Sequence, residues 1–344
     1  MNQPLKKEQL QPQGKAGAGK RLTTSAMIAS IAGEGQATRP APFGHALAEL
    51  ARTRQDIVGM TADLAKYTDL HIFAKEHPER FYEMGMAEQL LMGAAAGMAR
   101  EGMVPFATTY AVFASRRAYD FICMAIAEES LNVKIVCALP GLTTGYGPSH
   151  QATDDLAIMR AMPNLTVVDP CDALDIEQAV PAIAEHQGPV YMRLLRGAVP
   201  AVLDEYNYKF ELGRAKMIRD GRDVLIISSG LMTMRALEAA KLLHKDSVDV
   251  GVLHVPTIKP LDVETIRREA AKSGRMVVVA ENHSVVGGLG EAVAGELMRA
   301  NIRPPAFRQI ALPDAFLDAG ALPTLHDRYR ISAAVMAQDI KSWL

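Results

Sequence analysis

From Pro42 onward, short aliphatic runs alternate with longer stretches of helical character. Asp56–Met60, Val104–Thr108, Val133–Leu139 and Val190–Leu194 are nearly continuous in apolar residues. A strand with one solvated face alternates polar with apolar. A strand that is apolar throughout is covered on both faces, as in the middle of a parallel sheet flanked by helices. Between these runs lie Pro42–Arg54, Asp69–His77, Phe113–Glu129 and Ala173–His186, which carry helical patterns. The βα order predicts a mainly parallel α/β sheet with helices on both faces.

The pattern then repeats. Val224–Ser228, Val250–Val255, Met276–Ala280 and Phe307–Leu312 read as strands; Thr233–His244, Val263–Ser273, Gly290–Ala300 and Ile331–Trp343 read as helices. At 344 residues the chain suits two domains. The expected organisation is a flexible tail over 1–37 with a transient helix near Thr23–Ile31, an α/β domain over 38–197, a connector over 198–213 and a second α/β domain over 214–344.

A net charge of −2 gives no reason to expect nucleic acid or a membrane surface as partner. The longest apolar run, Leu90–Ala99, is about half a bilayer span. The N-terminus lacks an apolar signal core, and Cys123, Cys137 and Cys171 are scattered in apolar context. A reducing cytoplasm is therefore expected, with neither disulfides nor a cysteine metal site.

Phe81-Tyr82-Glu83-Met84-Gly85-Met86-Ala87-Glu88 reads as a strand turning into a helix, with Glu88 in the first helical turn. A carboxylate there is either a helix-start acid facing water or a partly buried group that holds a proton on a ligand nitrogen. The sequence that follows carries Thr109-Tyr110-Ala111-Val112-Phe113, Arg116-Arg117-Ala118-Tyr119-Asp120, Gly145-Tyr146-Gly147-Pro148-Ser149-His150-Gln151 and Asp154-Asp155. Gly85, Glu88 and Gly93 meet a G-x-x-E-x-x-x-x-G pattern. In this order and register the chain resembles transketolases, their pyrimidine-binding domain first and their C-terminal domain in the last third.

The resemblance implies thiamine diphosphate as cofactor. Glu88 would hold the proton on the cofactor's pyrimidine nitrogen, and Tyr110 and Phe113 would give its ring an apolar platform. His150 matches a histidine that contacts the donor sugar near the reacting carbon, and Asp63 matches an acid near the cofactor and the subunit interface. Arg39 and Arg196 match positions that hold a sugar phosphate, a task that suits the guanidinium fork. His283, in Glu281-Asn282-His283-Ser284, resembles a motif at an interdomain surface. The family's G-D-G motif, which precedes its diphosphate and magnesium ligands, is missing. Magnesium is thus expected on a partner chain, with no metal ligand in this one.

The implied activity is transfer of a two-carbon ketol unit between sugar phosphates. This chain would be the C-terminal half of a split transketolase, joined to an N-terminal subunit in an α2β2 heterotetramer. Two alternatives stay open: the β subunit of a 2-oxoacid dehydrogenase E1 component, and a non-catalytic module that keeps the fold. Ala138 and Tyr146 replace a histidine and an acid that usually touch the donor, which implies an unusual donor. Ala138 is expected to leave room beside it.

Overall fold

The computed structural model describes residues 31–33 and 35–344. The helix expected near Thr23–Ile31 and most of the expected tail lie outside these residues. The tail's described end is tied down, because the Ala37 carbonyl accepts a bond from the Ala201 N–H.

Among the described residues fourteen strands follow one another: β1 (Thr38–Pro40), β2 (Ile57–Thr61), β3 (Phe81–Glu83), β4 (Val104–Tyr110), β5 (Lys134–Ala138), β6 (Thr166–Val168), β7 (Val190–Leu194), β8 (Ala198–Pro200), β9 (Lys216–Arg219), β10 (Val224–Ser228), β11 (Val250–His254), β12 (Thr257–Lys259), β13 (Met276–Ser284) and β14 (Phe307–Leu312). The first sheet has the order β12-β6-β7-β5-β4-β2-β3. All its pairs are parallel except β12 with β6. The second has the order β14-β13-β10-β11-β9, parallel except at β9. Both are the expected α/β sheets, with central strands buried along their whole length. Helices supply the cover: on Pro42–Thr53, for example, Phe43, Leu47, Ala48 and Ala51 form the buried stripe.

Several elements depart from the expectation. β4 runs two residues further than read, because Thr109 and Tyr110 pair with Cys137 and Ala138. The helix expected over Phe113–Glu129 is therefore Ala111–Arg117. It breaks at Ala118 and resumes through Tyr119–Phe121 into a π-helical turn over Ile122–Ala127. The connector contains β8, which pairs antiparallel with β1. β12 lies beyond the connector in sequence yet closes one edge of the first sheet, so the two units share a strand.

A buried polar clasp also joins the units. Arg193 on β7 donates to both Asp155 oxygens, at 2.5 and 2.9 Å, and to the Asn282 carbonyl at 3.2 Å. Asp169 accepts from Ser229 at 2.8 Å. Asp175 accepts from Tyr208 at 2.7 Å, and His254 Nε2 lies 2.9 Å from it. His283 sits in this interface, its Nε2 accepting from the Ala157 N–H at 3.2 Å.

Candidate active site

Parallel strands put all their carboxyl ends on one edge, where open α/β sheets bind ligands. Along that edge of the first sheet come Arg196 after β7, the Pro140–Thr153 loop after β5, Tyr110 at the end of β4, Asp63 after β2 and Glu88 after β3.

Glu88 begins the Glu88–Arg100 helix and is 5% exposed, so it is not a solvated helix-start acid. Gly85 makes the turn into the helix with φ at +71°, where a side chain would be strained. Glu83 braces that turn by accepting from the Gly85 and Asp63 N–H groups at 3.0 and 2.7 Å. Asp63 is exposed at the rim and takes a left-handed φ of 56°.

The aromatic residues gather beside Glu88. Tyr110 and Phe113 have ring centroids 5.5 Å apart. The His150 ring lies 6.1 Å from Tyr110, 5.5 Å from Phe113 and 5.2 Å from Tyr146. Arg117 stacks its guanidinium 3.9 Å above the Phe113 ring and donates to Glu88 Oε1 at 3.1 Å. Partial burial, and then the charge of Arg117, push the His150 imidazole below its ordinary value. Burial pushes the Tyr110 phenol up, against an opposing pull from Arg196. Arg196 lies 5.8 Å from the Tyr67 ring. Beside it, Asp69 is raised by burial and accepts from the Gly197 N–H at 2.9 Å.

The loop that carries Tyr146 and His150 is fixed from both units. Arg116 donates to both oxygens of Asp154, at 3.1 and 2.9 Å, and to the Pro148 carbonyl at 3.2 Å. Gln151 donates to the Thr144 and Asp318 carbonyls at 3.2 and 3.1 Å. His326 bonds the Leu142 carbonyl at 2.8 Å, and the Gly320 N–H bonds that of Gly145 at 2.9 Å. Gly145 is required there, since a Cβ would meet the Gly320 oxygen at 2.0 Å.

Glu88, Tyr110, Phe113 and His150 thus come together, and Arg196 stands within electrostatic reach of Tyr110. Arg39 is differently placed: its guanidinium pairs with Glu177 at 2.6 Å and Asp204 at 2.7 Å. Ala138 is fully buried, so the room expected beside it does not open onto the rim. The Arg116–Arg117 pair and the Asp318–His326 segment were not read from the sequence as parts of the site. An Arg-Arg dipeptide in a last helical turn is ordinary, and nothing in 318–326 marks its contacts with a loop more than 160 residues away.

The cluster fits a flat nitrogen heterocycle: aromatic faces for its plane, a buried carboxylate for its edge. Among the described residues, Cys171, Asp175 and His254 form a group compact enough for a metal. Its thiol and imidazole are poor partners for magnesium, and Asp175 already accepts from Tyr208 and the Cys171 N–H.

The description "Transketolase, pyrimidine binding domain" matches residues 35–201, and "Transketolase, C-terminal domain" matches 213–336. The chain belongs to the transketolase family. A transketolase family protein of Sinorhizobium fredii is 74% identical, over 94% of both chains. The 6-deoxy-6-sulfo-D-fructose transketolase subunit of Clostridium sp. is 40% identical, over 83% of this chain and 88% of that one. A solved split-gene transketolase, described as an inactive β4 tetramer, superposes with a TM-score of 0.80 at 41% identity; the match covers 88% of this chain and 96% of that one. This transketolase-family chain is therefore related over most of its length to subunits of split enzymes.

Proposed function

We propose that the chain is the pyrimidine-binding subunit of a two-subunit, thiamine-diphosphate-dependent transketolase. The observation that carries this is Glu88: a carboxylate 5% exposed, at the carboxyl edge of a mainly parallel sheet, joined through Arg117 to the tilted pair of Tyr110 and Phe113 rings. Thiamine diphosphate, when bound, supplies the nucleophilic carbon that accepts a two-carbon ketol unit. Glu88 accepts a hydrogen bond from the pyrimidine ring nitrogen and keeps a proton there. Tyr110 and Phe113 hold the ring's plane and exclude water from it. His150, held toward its neutral form, takes a proton from a donor hydroxyl. Arg196 binds the anionic end of the sugar. Arg39 would have to give up Glu177 and Asp204 to assist it, so its part is secondary. Asp63, exposed at the same rim, faces the subunit interface.

An N-terminal partner supplies the diphosphate and magnesium site in an α2β2 assembly. Met86, Leu90, Phe121 and Met124 support this, because they leave large apolar side chains exposed around the Glu88 helix. The β4 state of the solved relative is described as inactive, as expected of one half without the other. The sulfosugar named for the Clostridium relative and Tyr146 at the donor wall favour a ketose with a phosphate or sulfonate at its far end. The relatives named above are transketolases, which weighs against the 2-oxoacid dehydrogenase reading. Three free thiols suit a cytoplasmic enzyme.

The test is turnover of the purified pair with ketose phosphate and ketose sulfonate donors. Glu88→Gln keeps the shape and loses the acceptor charge; kcat/KM should drop by about 30- to 1,000-fold, a loss of ~2–4 kcal/mol in transition-state stabilisation, while the assembly persists. A Glu88→Gln assembly with unchanged turnover contradicts the proposal.

A further inference from the structure

Arg117 makes the two contacts that the ring proposed above would need. Its guanidinium lies 3.9 Å above the Phe113 ring, and its Nη1 donates to Glu88 Oε1 at 3.1 Å. A planar group on an aromatic face, with an N–H aimed at a carboxylate, is also how an aminopyrimidine would sit. The two cannot share the place. The Glu88 side chain is 6% exposed and that of Arg117 is 55% exposed, so the buried end of the pair is fixed and the other end opens to solvent. Neighbouring Arg116 cannot substitute, since it is bound to Asp154 and to the Pro148 carbonyl. A buried carboxylate without a partner is strongly destabilising, which gives Arg117 a role while no ring is present.

We propose that Arg117 is a stand-in for the cofactor's aminopyrimidine, covering Phe113 and pairing with Glu88 until the ring binds and displaces it toward solvent. The proposal rests on the assignment of Glu88 and Phe113 to the cofactor. It predicts that binding the cofactor includes breaking the Arg117–Glu88 pair, so that weakening the pair favours the cofactor.

The experiment uses the full chain with its partner subunit and thiamine diphosphate as the probe, followed by calorimetry. Arg117→Met keeps an apolar cover on Phe113 but removes the charge and the donor. It should tighten cofactor binding by about three- to tenfold. Arg117→Lys, which keeps a charge without the planar fork, should lie between wild type and Arg117→Met. Unchanged or weaker binding by Arg117→Met overturns the proposal, because Arg117 is then a bystander or a cofactor ligand. A second readout needs no cofactor: the pH dependence of diethyl pyrocarbonate modification of His150, followed by peptide mass spectrometry. Arg117→Met should move the His150 midpoint upward, toward the ordinary histidine value, and no movement overturns the resting position. Failure of the underlying assignment looks different. Glu88→Gln would then bind cofactor and turn over like wild type, whatever the His150 midpoint shows.

Discussion

His150 sits between three aromatic rings and one cation, and its environment sets when it can act as a base. Burial is the larger cause of its lowered proton affinity and Arg117 the smaller. The neutral imidazole therefore persists to lower pH than in water. If His150 removes a donor proton, the acid limb of the kcat/KM profile should fall below pH 6.5, the ordinary histidine value. His150→Gln should lower kcat and abolish that limb. A profile whose acid limb survives in His150→Gln would assign the base elsewhere. That Glu88, Tyr110, Phe113 and His150 come together was legible in the sequence through their order and register, since alone each has an ordinary structural explanation. The pairing of Arg39 with Glu177 and Asp204 was not legible, because those acids lie 138 and 165 residues away. Arg117 lies in a stretch that carries the family resemblance, but its contacts were not legible, because they depend on where the helix breaks at Ala118.

Among the elements, the buried parallel strands were readable because burial on both faces removes the polar alternation that other strands show. β1, β8, β9 and β12 were not. Each has three or four residues and an antiparallel partner, and exists because a distant edge offers it hydrogen bonds. The Leu322–Arg328 helix was missed likewise, although it holds the site loop through His326. His326 is buried, and burial lowers its pKa to about 4. The unfolded chain binds the proton near pH 6.5 and the folded chain only near 4. The unfolded state thus carries more protons in that window, and stability falls as pH drops through it. The neutral-His326 contribution is complete above pH 6.5. It should decline by on the order of 2 kcal/mol between pH 7 and pH 5. His326→Gln keeps a donor for the Leu142 carbonyl but cannot titrate. Its melting temperature should therefore fall less than that of wild type on acidification. Parallel slopes for the two proteins would show that His326 does not carry the dependence.

At the scale of the whole molecule, two kinds of surface do opposite work. The interface between the two sheets is closed, held by Arg193, Asp155, Asp169, Asp175 and His254, all at most 3% exposed, and by the shared strand β12. The face around the Glu88 helix is open: Met86 is 82% exposed, Leu90 55%, Met124 54% and Phe121 40%. The Phe121 ring lies 4.0 Å from where a Cβ on Gly93 would stand, so the Leu90 helix and the Phe121–Met124 turn form one continuous patch. Among the described residues no helix is long and apolar enough to cross a membrane. In the proposed assembly the partner subunit covers this patch, next to Glu88. Burying the exposed halves of two side chains of this size contributes roughly 2–3 kcal/mol, and replacing them with charges forfeits that and adds a desolvation cost. The double variant Leu90→Asp/Met124→Asp should therefore weaken assembly by about a hundredfold or more. Both positions are exposed in the single chain, so its fold and melting temperature should be unchanged. Light scattering of the variant with its partner should show separate subunits where wild type forms one complex. Cofactor affinity should fall to that of the isolated chain, because half of the site is no longer present. A double variant that still assembles and turns over would place the interface on another face.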